Sequence, residues 1–459
     1  MNYRKIASCA ALLMATAVLT VAQSKTSSQP SDAANDVSAA QLKATIEKLA
    51  SFGTRNTISS ATPEAVRSGR GIGASREWIK SEFERYSKEC GGCLEVKTDT
   101  FMEAPAPRIP QATEIVNVYA ILRGSDPVNA KRIYLVTGHY DSRNGDTLDI
   151  KGDAPGANDD GSGTAVSLEA ARVLSKHKFP ATIIFLAVAG EEQGLNGSKH
   201  FAKMAKEQGW NIQAVLNDDT VGGDKSPGQK PYLRVFAEGI PKADLQGNGD
   251  MKSLGRIRAL GTESDSTSRE LARYIEQITT PATGHSPLTT KTIYRPDRYL
   301  RGGDHTSFNE QGFAAVRLTE WRENYDRQHQ NPRTENGIEY GDLPKFVDYD
   351  YLANVARLNV AALASLASAP ASPADVRLLT KELTNDSTLA WDAPAGGLVD
   401  HYEIVWRDTT SPVWQNTQIV PGSATRATVD VSKDNVIFGV RSVAKDGSKS
   451  MAVVPMPER

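Results

Sequence analysis

The chain has 459 residues, which is long enough for two or three domains. Its content of 39% hydrophobic and 24% charged residues is typical of a folded globular protein and excludes a largely disordered or membrane-embedded chain. The formal net charge of −2 indicates no strongly basic face, so nucleic acid is not an expected partner.

The N-terminus has the pattern of a secretory signal. Arg4 and Lys5 precede an apolar stretch, and small residues ending at Ala22 suit cleavage. The apolar stretch is too short for a membrane span. We therefore predict a secreted or periplasmic protein with a signal peptide at 1–22, no membrane span in the mature chain, and a flexible polar leader at 23–37.

Two cysteines, Cys90 and Cys93, lie beyond the predicted signal. In an oxidising compartment, a local disulfide is expected for such a pair. The alternative is half of a zinc site, but the sequence has no second cysteine pair to complete it.

Residues 38–367 alternate between helical and strand patterns. Helical spacing of apolar residues predicts helices at 41–50, 74–88, 163–177, 197–209, 265–279 and 347–368. Apolar, β-branched runs predict strands at 114–122, 132–142, 181–190, 214–219 and 314–320. This alternation predicts a three-layer α/β/α domain with a mostly parallel mixed sheet.

The sequence changes character after a Pro/Ala/Ser linker at 368–375. Residues 376–459 contain short alternating strands and no convincing helix, which predicts a small all-β sandwich. The placing of Trp391 and Tyr402 resembles a fibronectin type III module. Binding of a surface or partner and a passive stabilising role both remain open for this module.

Acidic and histidine residues cluster at the predicted strand ends. In open α/β sheets, ligands bind beyond the carboxyl ends of the strands. Five points on the chain place such groups at one sheet edge: His139-Tyr140-Asp141, Asp159-Asp160, Glu191-Glu192, Asp218-Asp219 and, before the last strand, Asp304-His305. Several carboxylates at one edge would repel each other, and a bound multivalent cation would relieve that repulsion. Histidines mixed with carboxylates favour zinc over magnesium or calcium, and about five ligands with one able to bridge suit two ions.

The same motifs resemble a known enzyme family. In order along the chain they read VTGHYDS, PGANDDGSGTA, AGEEQGLNGS, LNDDTVGG and GGDHTSF. They are similar to those of the secreted zinc aminopeptidases, a family that also includes glutamate carboxypeptidase-like enzymes. In that family two metal ions share one bridging Asp. The resemblance covers residues 38–367 and implies a zinc-dependent exopeptidase that hydrolyses N-terminal residues from peptide substrates.

The resemblance also implies a role for each matching residue. The implied zinc ligands are His139, Asp159 as the bridging ligand, Glu192, Asp219 and His305. Asp141 would orient the His139 imidazole. The family often has a cis peptide after the bridging Asp, so a cis Asp159–Asp160 bond is predicted.

The paired glutamates take different roles in this interpretation. Successive residues of an extended chain point in opposite directions, so one carboxylate can face a metal while its neighbour faces the water. By resemblance, Glu192 is the ligand and Glu191 is the general base. Glu191 would take a proton from the zinc-bound water and deliver it to the leaving amine.

The residue that stabilises the oxyanion stays open. Some relatives have a tyrosine directly before the last histidine ligand, where this chain has Asp304. Tyr299 and Tyr325 are candidate substitutes, and a packing or rim position is an equally good interpretation of both. His329 lies in a loop that could form the rim of the cleft.

An aminopeptidase has three alternatives. A carboxypeptidase of the same family would use basic residues as a carboxylate clamp, and Arg295, Arg298 and Arg301 lie near the last motif. A glutaminyl cyclase-like acyltransferase would hold one zinc and should lack the ligands of a second metal. The presence of both His139 and Asp219 counts against it. A metal-free binding protein of the same fold would have lost the ligands, whereas this chain keeps all five ligand positions and the general base.

Overall fold

The computed structural model of the chain describes residues 30–241, 250–283 and 288–458. The predicted signal peptide at 1–22 and residues 23–29 of the predicted leader lie outside the described residues.

Residues 30–37 do not form the flexible leader that we predicted. Pro30–Asp36 is a short 3-10 helix that leads into the first α-helix. Its apolar side chains join the main hydrophobic core: Ala33, Ala34 and Val37. Three small apolar residues in a polar segment gave no periodic signal, yet they suffice to pack the segment onto the domain.

Helices account for much of the N-terminal domain. Their bounds are α1 Ala39–Ala50, α2 Pro63–Ser68, α3 Ile72–Glu89, α4 Gly161–Leu174, α5 Asn196–Glu207, α6 Asp250–Leu260, α7 Thr267–Thr283, α8 Asp304–Glu310 and α9 Tyr349–Ser368. Among the residues that the structure describes, no helix combines the length and apolarity that crossing a bilayer requires.

An eight-stranded sheet forms the centre of this domain. Its strands are β1 Leu94–Glu103, β2 Thr113–Leu122, β3 Arg132–His139, β4 Thr182–Val188, β5 Asn211–Asp218, β6 Tyr232–Phe236, β7 Thr289–Ile293 and β8 Ala315–Glu320. The spatial order is β1-β2-β4-β3-β5-β8-β6-β7. The four strands β4, β3, β5 and β8 run parallel to one another. The pairs β1/β2, β2/β4 and β6/β8 are antiparallel. The sheet is therefore mixed with a parallel centre, as predicted.

Strand β4 shows how the three layers are held together. Alternate side chains of a strand point to opposite faces. Ile183, Phe185 and Ala187 pack into the core with α4 and α9, whereas Ile184, Leu186 and Val188 pack with residues of α5 and α8. Both faces of the sheet are thus covered by helices, and the predicted α/β/α architecture is confirmed.

The parallel centre of the sheet brings four strand ends to one edge. β3 ends at His139, β4 at Val188, β5 at Asp218 and β8 at Glu320. Because these strands are adjacent and parallel, the segments that follow them meet above the same part of the sheet.

A disulfide joins Cys90 to Cys93, as predicted. It closes the turn between α3 and β1, directly after the last residue of the helix.

The C-terminal residues form two small sheets after a hairpin of β9 Arg333–Glu335 and β10 Ile338–Tyr340. Their strands are β11 Ala374–Leu379, β12 Ser387–Asp392, β13 His401–Asp408, β14 Asn416–Pro421, β15 Arg426–Val429, β16 Val436–Val443 and β17 Met456–Glu458. One sheet has the order β15-β12-β11-β17 and the other β14-β13-β16. Trp391 and Tyr402 lie in the core between them, and the predicted small β-sandwich is confirmed.

This β module is fixed to α7 by buried polar contacts. Glu270 on α7 accepts hydrogen bonds from the Trp414 indole N–H (3.0 Å) and the Ala452 backbone N–H (3.2 Å). Arg407 of the module pairs with the buried Asp265 just before α7. The segment that joins the two domains is also held, since Arg132 donates to the Ala369 carbonyl at 2.7 Å.

Candidate metal centre and active-site cleft

The two ring nitrogens of His139 have different surroundings. Its Nδ1 lies 3.1 Å from the Asp141 backbone oxygen and 3.5 Å from Asp141 Oδ1. Its Nε2 lies 3.2 Å from Asp159 Oδ1 and 4.0 Å from Glu191 Oε2. The buried ring is therefore oriented through Nδ1 and presents Nε2 to the cluster of carboxylates.

Asp141 connects the His139 motif to the paired glutamates. Its Oδ2 accepts hydrogen bonds from the Thr57 hydroxyl (2.8 Å) and the Glu192 backbone N–H (3.1 Å). Its Oδ1 accepts the Glu191 backbone N–H at 3.3 Å. This is the arrangement expected of a residue that orients the ligands without being one of them.

Asp159 lies between two histidines. Oδ1 is 3.2 Å from His139 Nε2, and Oδ2 is 2.9 Å from His329 Nε2. Gln328 also donates to Oδ2 at 2.6 Å. The Asp159–Asp160 peptide is cis, as predicted. Asp160 instead caps α4, where it accepts the Gly163 N–H at 2.8 Å.

The paired glutamates face different histidines. Glu192 Oε1 lies 2.9 Å from His329 Nε2, and its Oε2 accepts a hydrogen bond from Arg143 Nε at 2.8 Å. Glu191 Oε2 lies 4.0 Å from His139 Nε2. The turn that follows β4 therefore separates the two carboxylates, as their different predicted roles require.

Two groups of possible ligand atoms result. His139, Glu191 and Asp219 form one group, and Asp159, Glu192 and His329 form the other. Within each group the ligand atoms lie within 4.8 Å of one another. Asp219 follows β5 directly and accepts a hydrogen bond from the Thr220 hydroxyl at 2.9 Å.

The structure does not bring His305 into either group. Its ring lies beneath the preceding loop, with Nε2 2.7 Å from the Pro296 backbone oxygen and 3.9 Å from Asp297 Oδ2. His329 stands instead where the last predicted ligand was expected. It reaches the cluster from the loop after β8, with a φ of 57°.

The two candidate oxyanion tyrosines do not line the cleft. Tyr299 is 76% exposed, and its hydroxyl accepts a hydrogen bond from Arg295 at 2.7 Å. Tyr325 is 63% exposed and borders a different cavity, together with Trp321 and Arg322.

A cleft of about 280 Å³ opens over the cluster. Its lining residues are Arg108, Arg143, Asp159, Glu191, Glu192, Gly194, Leu195, Asp219, Arg298, Leu300, Arg301, Gly302, Arg317, Gln328 and His329. Left-handed backbone at non-glycine residues is concentrated around it, at Leu195 (φ 63°), Thr220 (φ 59°), Leu300 (φ 55°) and His329. Such conformations are costly and persist where the surroundings enforce them, often at functional sites.

The charges of the cluster perturb each other strongly. Burial raises the pKa of Glu191 well above its usual value; the Glu192 and Asp219 carboxylates add to this shift and His139 opposes it. Burial lowers the pKa of His329, but the carboxylates of Glu192 and Asp159 outweigh it and raise this pKa to about 10. A multivalent cation would relieve the carboxylate repulsion and would have to displace protons from the imidazoles.

Sequence reasoning gave no role to several residues that contact the cluster. Arg143 contacts Glu192 and His329, and Gln328 contacts Asp159. Arg317 on β8 pairs with Asp219 at 2.8 Å. Arg317 lies on a buried strand, where a charged residue is unusual, and that position alone was an available signal.

Comparison with known proteins identifies the family of this chain. The profile described as "Peptidase family M28" matches residues 117–348. A "Probable zinc metalloprotease" of Pyrenophora tritici-repentis is 45% identical over 426 residues, covering 92% of this chain and 86% of that protein. One of the same description from Pyricularia oryzae is 44% identical over 435 residues, covering 93% of this chain and 84% of that protein.

Solved structures give the same fold. The crystal structure of the LapA aminopeptidase of Legionella pneumophila covers 75% of this chain and 78% of its own, with a TM-score of 0.50 and 21% identity. LapB of the same organism has a TM-score of 0.50 at 17% identity, covering 74% of each chain. From the sequence matches, the chain belongs to peptidase family M28.

Proposed function

We propose that this M28 peptidase, a zinc metallopeptidase like its relatives, holds two zinc ions and removes N-terminal residues from peptides. The observation that carries the proposal is the position of Asp159, whose two oxygens lie 3.2 Å from His139 Nε2 and 2.9 Å from His329 Nε2. A carboxylate in that position can be shared by two ions.

The residues present fit zinc. Three buried atoms of the cluster converge on one another and on Asp159: His329 Nε2 lies 2.9 Å from both Glu192 Oε1 and Asp159 Oδ2, and His139 Nε2 lies 3.2 Å from Asp159 Oδ1. All three are of the types that zinc binds, and a mixture of imidazole and carboxylate favours zinc over magnesium or calcium.

In this proposal the ligands divide into two sets around Asp159. His139 and Asp219 complete the first set, and Glu192 and His329 complete the second. His329 thus takes the role that the sequence analysis gave to His305, because His329 and not His305 contacts the cluster. Bound zinc would polarise the scissile carbonyl and lower the pKa of water.

Glu191 keeps the role of general base. It lines the cleft next to the first set, and its side chain is more exposed than those of Asp159, Glu192 and Asp219. It would take a proton from the attacking water and pass it to the leaving amine. Asp141 would hold this turn by accepting the Glu191 and Glu192 backbone N–H groups, and it would orient the His139 ring through its contacts with Nδ1.

The cleft supports an exopeptidase. It is small, and the loop at Arg298–Gly302 and the loop carrying Gln328 and His329 border it, which suits the end of a peptide rather than a long segment. The carboxypeptidase alternative finds less support. Of the three arginines predicted as its clamp, Arg295 does not line the cleft and Arg298 is already paired with Asp297 and Glu323, which leaves Arg301 alone to hold a terminal carboxylate.

Secretion remains part of the proposal. The disulfide between Cys90 and Cys93 suits an oxidising compartment, as expected for an exported protein.

The test is hydrolysis of matched free and N-blocked aminoacyl peptides, with and without a chelator, together with zinc analysis. We expect cleavage of free N-termini that chelation stops and zinc restores, with about two zinc ions per chain. Cleavage of blocked peptides alone would contradict an aminopeptidase, and activity unaffected by chelation would contradict zinc catalysis.

A further inference from the structure

The cleft is lined by more arginines than carboxylates. Its arginines are Arg108, Arg143, Arg298, Arg301 and Arg317. Its carboxylates are Asp159, Glu191, Glu192 and Asp219, and the proposed function assigns all four to zinc or to proton transfer. With the ions bound, no lining carboxylate is left to balance the arginines, so the cleft attracts anions.

Arg317 places a buried positive charge at the cleft. It lies on β8 and is 1% exposed. Its Nη2 lies 2.8 Å from Asp219 Oδ1, and its Nη1 donates to the Gly302 carbonyl at 3.1 Å and lies 3.5 Å from Asp297 Oδ2, so Nε is the donor that it can offer to a ligand. Its Nε is buried and has no hydrogen-bond partner in the described part of the chain. A buried donor of this kind is satisfied when a ligand supplies the acceptor.

Arg301 lies on the loop that borders the cleft and is only partly neutralised. Glu323 accepts from Arg301 at 3.1 Å, but it also pairs with Arg298 at 2.8 Å and with Arg234 at 3.0 Å. Arg298 has a second carboxylate in Asp297, whereas within the described ranges Arg301 contacts no other. The Arg301 side chain is 38% exposed, so a ligand can reach it.

We propose that Arg301 and Arg317 form a carboxylate-binding subsite for the acidic side chain of an N-terminal Asp or Glu residue. This inference rests on the proposed aminopeptidase function and names its substrate class. Guanidinium groups bind carboxylates through paired, charged hydrogen bonds. Arg317 lies beside Asp219, a proposed zinc ligand, where the first residue of a bound peptide would lie. Because Leu300 also lines the cleft, the test must separate side-chain charge from side-chain size.

The test compares peptide amides that differ only in the first side chain. The zinc-loaded, full-length Glu191→Gln chain is titrated by calorimetry with tripeptide amides that begin with Glu, Gln, Leu or Lys. We expect the Glu peptide to bind at least about tenfold more tightly than the Gln peptide, because a charged hydrogen bond is replaced by a neutral one. The unmodified enzyme should show the same order in kcat/KM.

Variants locate the subsite. Arg301→Gln should remove most of the preference for Glu over Gln, and Arg317→Gln should do the same. Arg295→Gln is the matched control, because Arg295 is exposed on the same loop, donates to Tyr299 and does not line the cleft. Zinc content and melting temperature are measured for each variant, so that a loss of metal or fold is separated from a loss of selectivity.

The outcomes distinguish this inference from the function on which it rests. Equal affinity for all four amides, or a preference for Leu, with chelator-sensitive cleavage retained, would overturn the acidic subsite alone. Cleavage confined to N-blocked peptides with a free C-terminal carboxylate would overturn both. An unchanged preference for Glu in Arg301→Gln would overturn the assignment to Arg301.

Discussion

Two aspartates link separate motifs into one site at the residue scale. Asp141 contacts the His139 ring and the backbone of both glutamates. Asp159 lies between His139 and His329, which are far apart in the sequence. A change at either aspartate therefore disturbs two motifs at once, and effects of mutations within this set will not be additive.

Glu191→Gln should leave zinc bound and reduce kcat by about 10²–10⁴-fold, because an amide cannot accept the proton. The measurements are zinc per chain by elemental analysis and steady-state kinetics on a free aminoacyl substrate. Near-normal turnover in this variant would mean that another group is the base.

His329→Ala should reduce bound zinc and abolish most activity, because it removes a proposed ligand. His305→Ala is the matched control and should retain the zinc of the parent chain, since the His305 ring contacts Pro296 and not the cluster. Zinc stoichiometry after dialysis gives the comparison. If His305→Ala loses zinc and His329→Ala does not, the proposed ligand sets are wrong.

Glu320→Gln should make stability less dependent on pH. Burial raises the pKa of the Glu320 carboxyl well above its usual value; the Asn158 hydrogen bond opposes this shift, and Asp224 and Glu323 add to it. The folded state then holds a proton on Glu320 that the unfolded state releases above about pH 4.3. The contribution of Glu320 to stability is therefore fully present below that pH. This contribution to the free energy of unfolding falls by about 1.4 kcal/mol per pH unit as pH rises toward the folded pKa.

Melting temperatures between pH 5 and 9 give the test for Glu320. The parent chain should lose more stability than Glu320→Gln across this range, because glutamine can keep the Gly223 hydrogen bond (2.8 Å) without a buried charge. Parallel curves for the two proteins would contradict the shift.

Three of the motifs could be located from the sequence because they lie at or just beyond strand ends: His139 ends β3, Glu191 and Glu192 follow β4, and Asp219 follows β5. The ligand predicted at His305 lies outside the cluster, because Asp304 and His305 precede β8 and open α8, and the His305 ring contacts Pro296. The rule that ligands bind beyond carboxyl ends pointed to the segment after β8, where His329 lies. His329 lies nine residues after the end of β8. Its position at the cluster depends on the path of that loop, which hydrophobic periodicity does not encode.

At the scale of elements, the turn after β4 depends on its neighbour β2. Asn117 on β2 donates to Asp99 (2.9 Å) and to the Gly197 carbonyl (3.0 Å), and it accepts the Ala189 N–H at 3.1 Å. These contacts join β1, β2, the turn after β4 and the start of α5 through one buried amide.

Asn117→Ala should lower the free energy of unfolding, by about 1–3 kcal/mol for each buried group left unpaired, and should reduce activity through the displaced turn. Denaturant unfolding gives the free energy, and Asn211→Ala at the exposed start of β5 is the control. A loss no larger than that of the control would show that Asn117 does not hold the turn.

The buried elements were predictable and the exposed edges were not. β4 is buried at every position, and its apolar run gave a clear signal. β1 is an edge strand with mostly polar and partly exposed residues, and it lacks the apolar pattern that marks a strand. β6 and β7 have five residues each, too few to establish a period, and their place depends on pairing with β8.

At the scale of the whole molecule, the β module is a packed part of the structure rather than a tethered appendage. Arg273 and Arg407 surround the buried Asp265, and Glu270 receives two hydrogen bonds from the module. Buried ion pairs of this kind contribute little net stability when intact, but breaking one leaves an unpaired buried charge.

Arg407→Ala should therefore destabilise the protein, but by less than the about 3–5 kcal/mol of a buried charge left without a partner, because Arg273 still pairs with Asp265 at 3.2 Å. Calorimetry should show a lower melting temperature, and Arg426→Ala, at an exposed arginine of the same module, should leave the transition unchanged. A shift no larger than that of Arg426→Ala would show that the Asp265 contact does not hold the domains together.

The contact at Glu270 also constrains how such an enzyme can evolve. A foreign module joined at 368–375 would have to offer an indole N–H and a backbone N–H at the positions of Trp414 and Ala452, and a cation for Asp265. Recombination that lacked these groups would leave two buried carboxylates, Asp265 and Glu270, to share Arg273 without the contacts that the module supplies. Natural selection would then favour inheritance of the two domains as one unit, with substitutions on α7 followed by matching substitutions in the module.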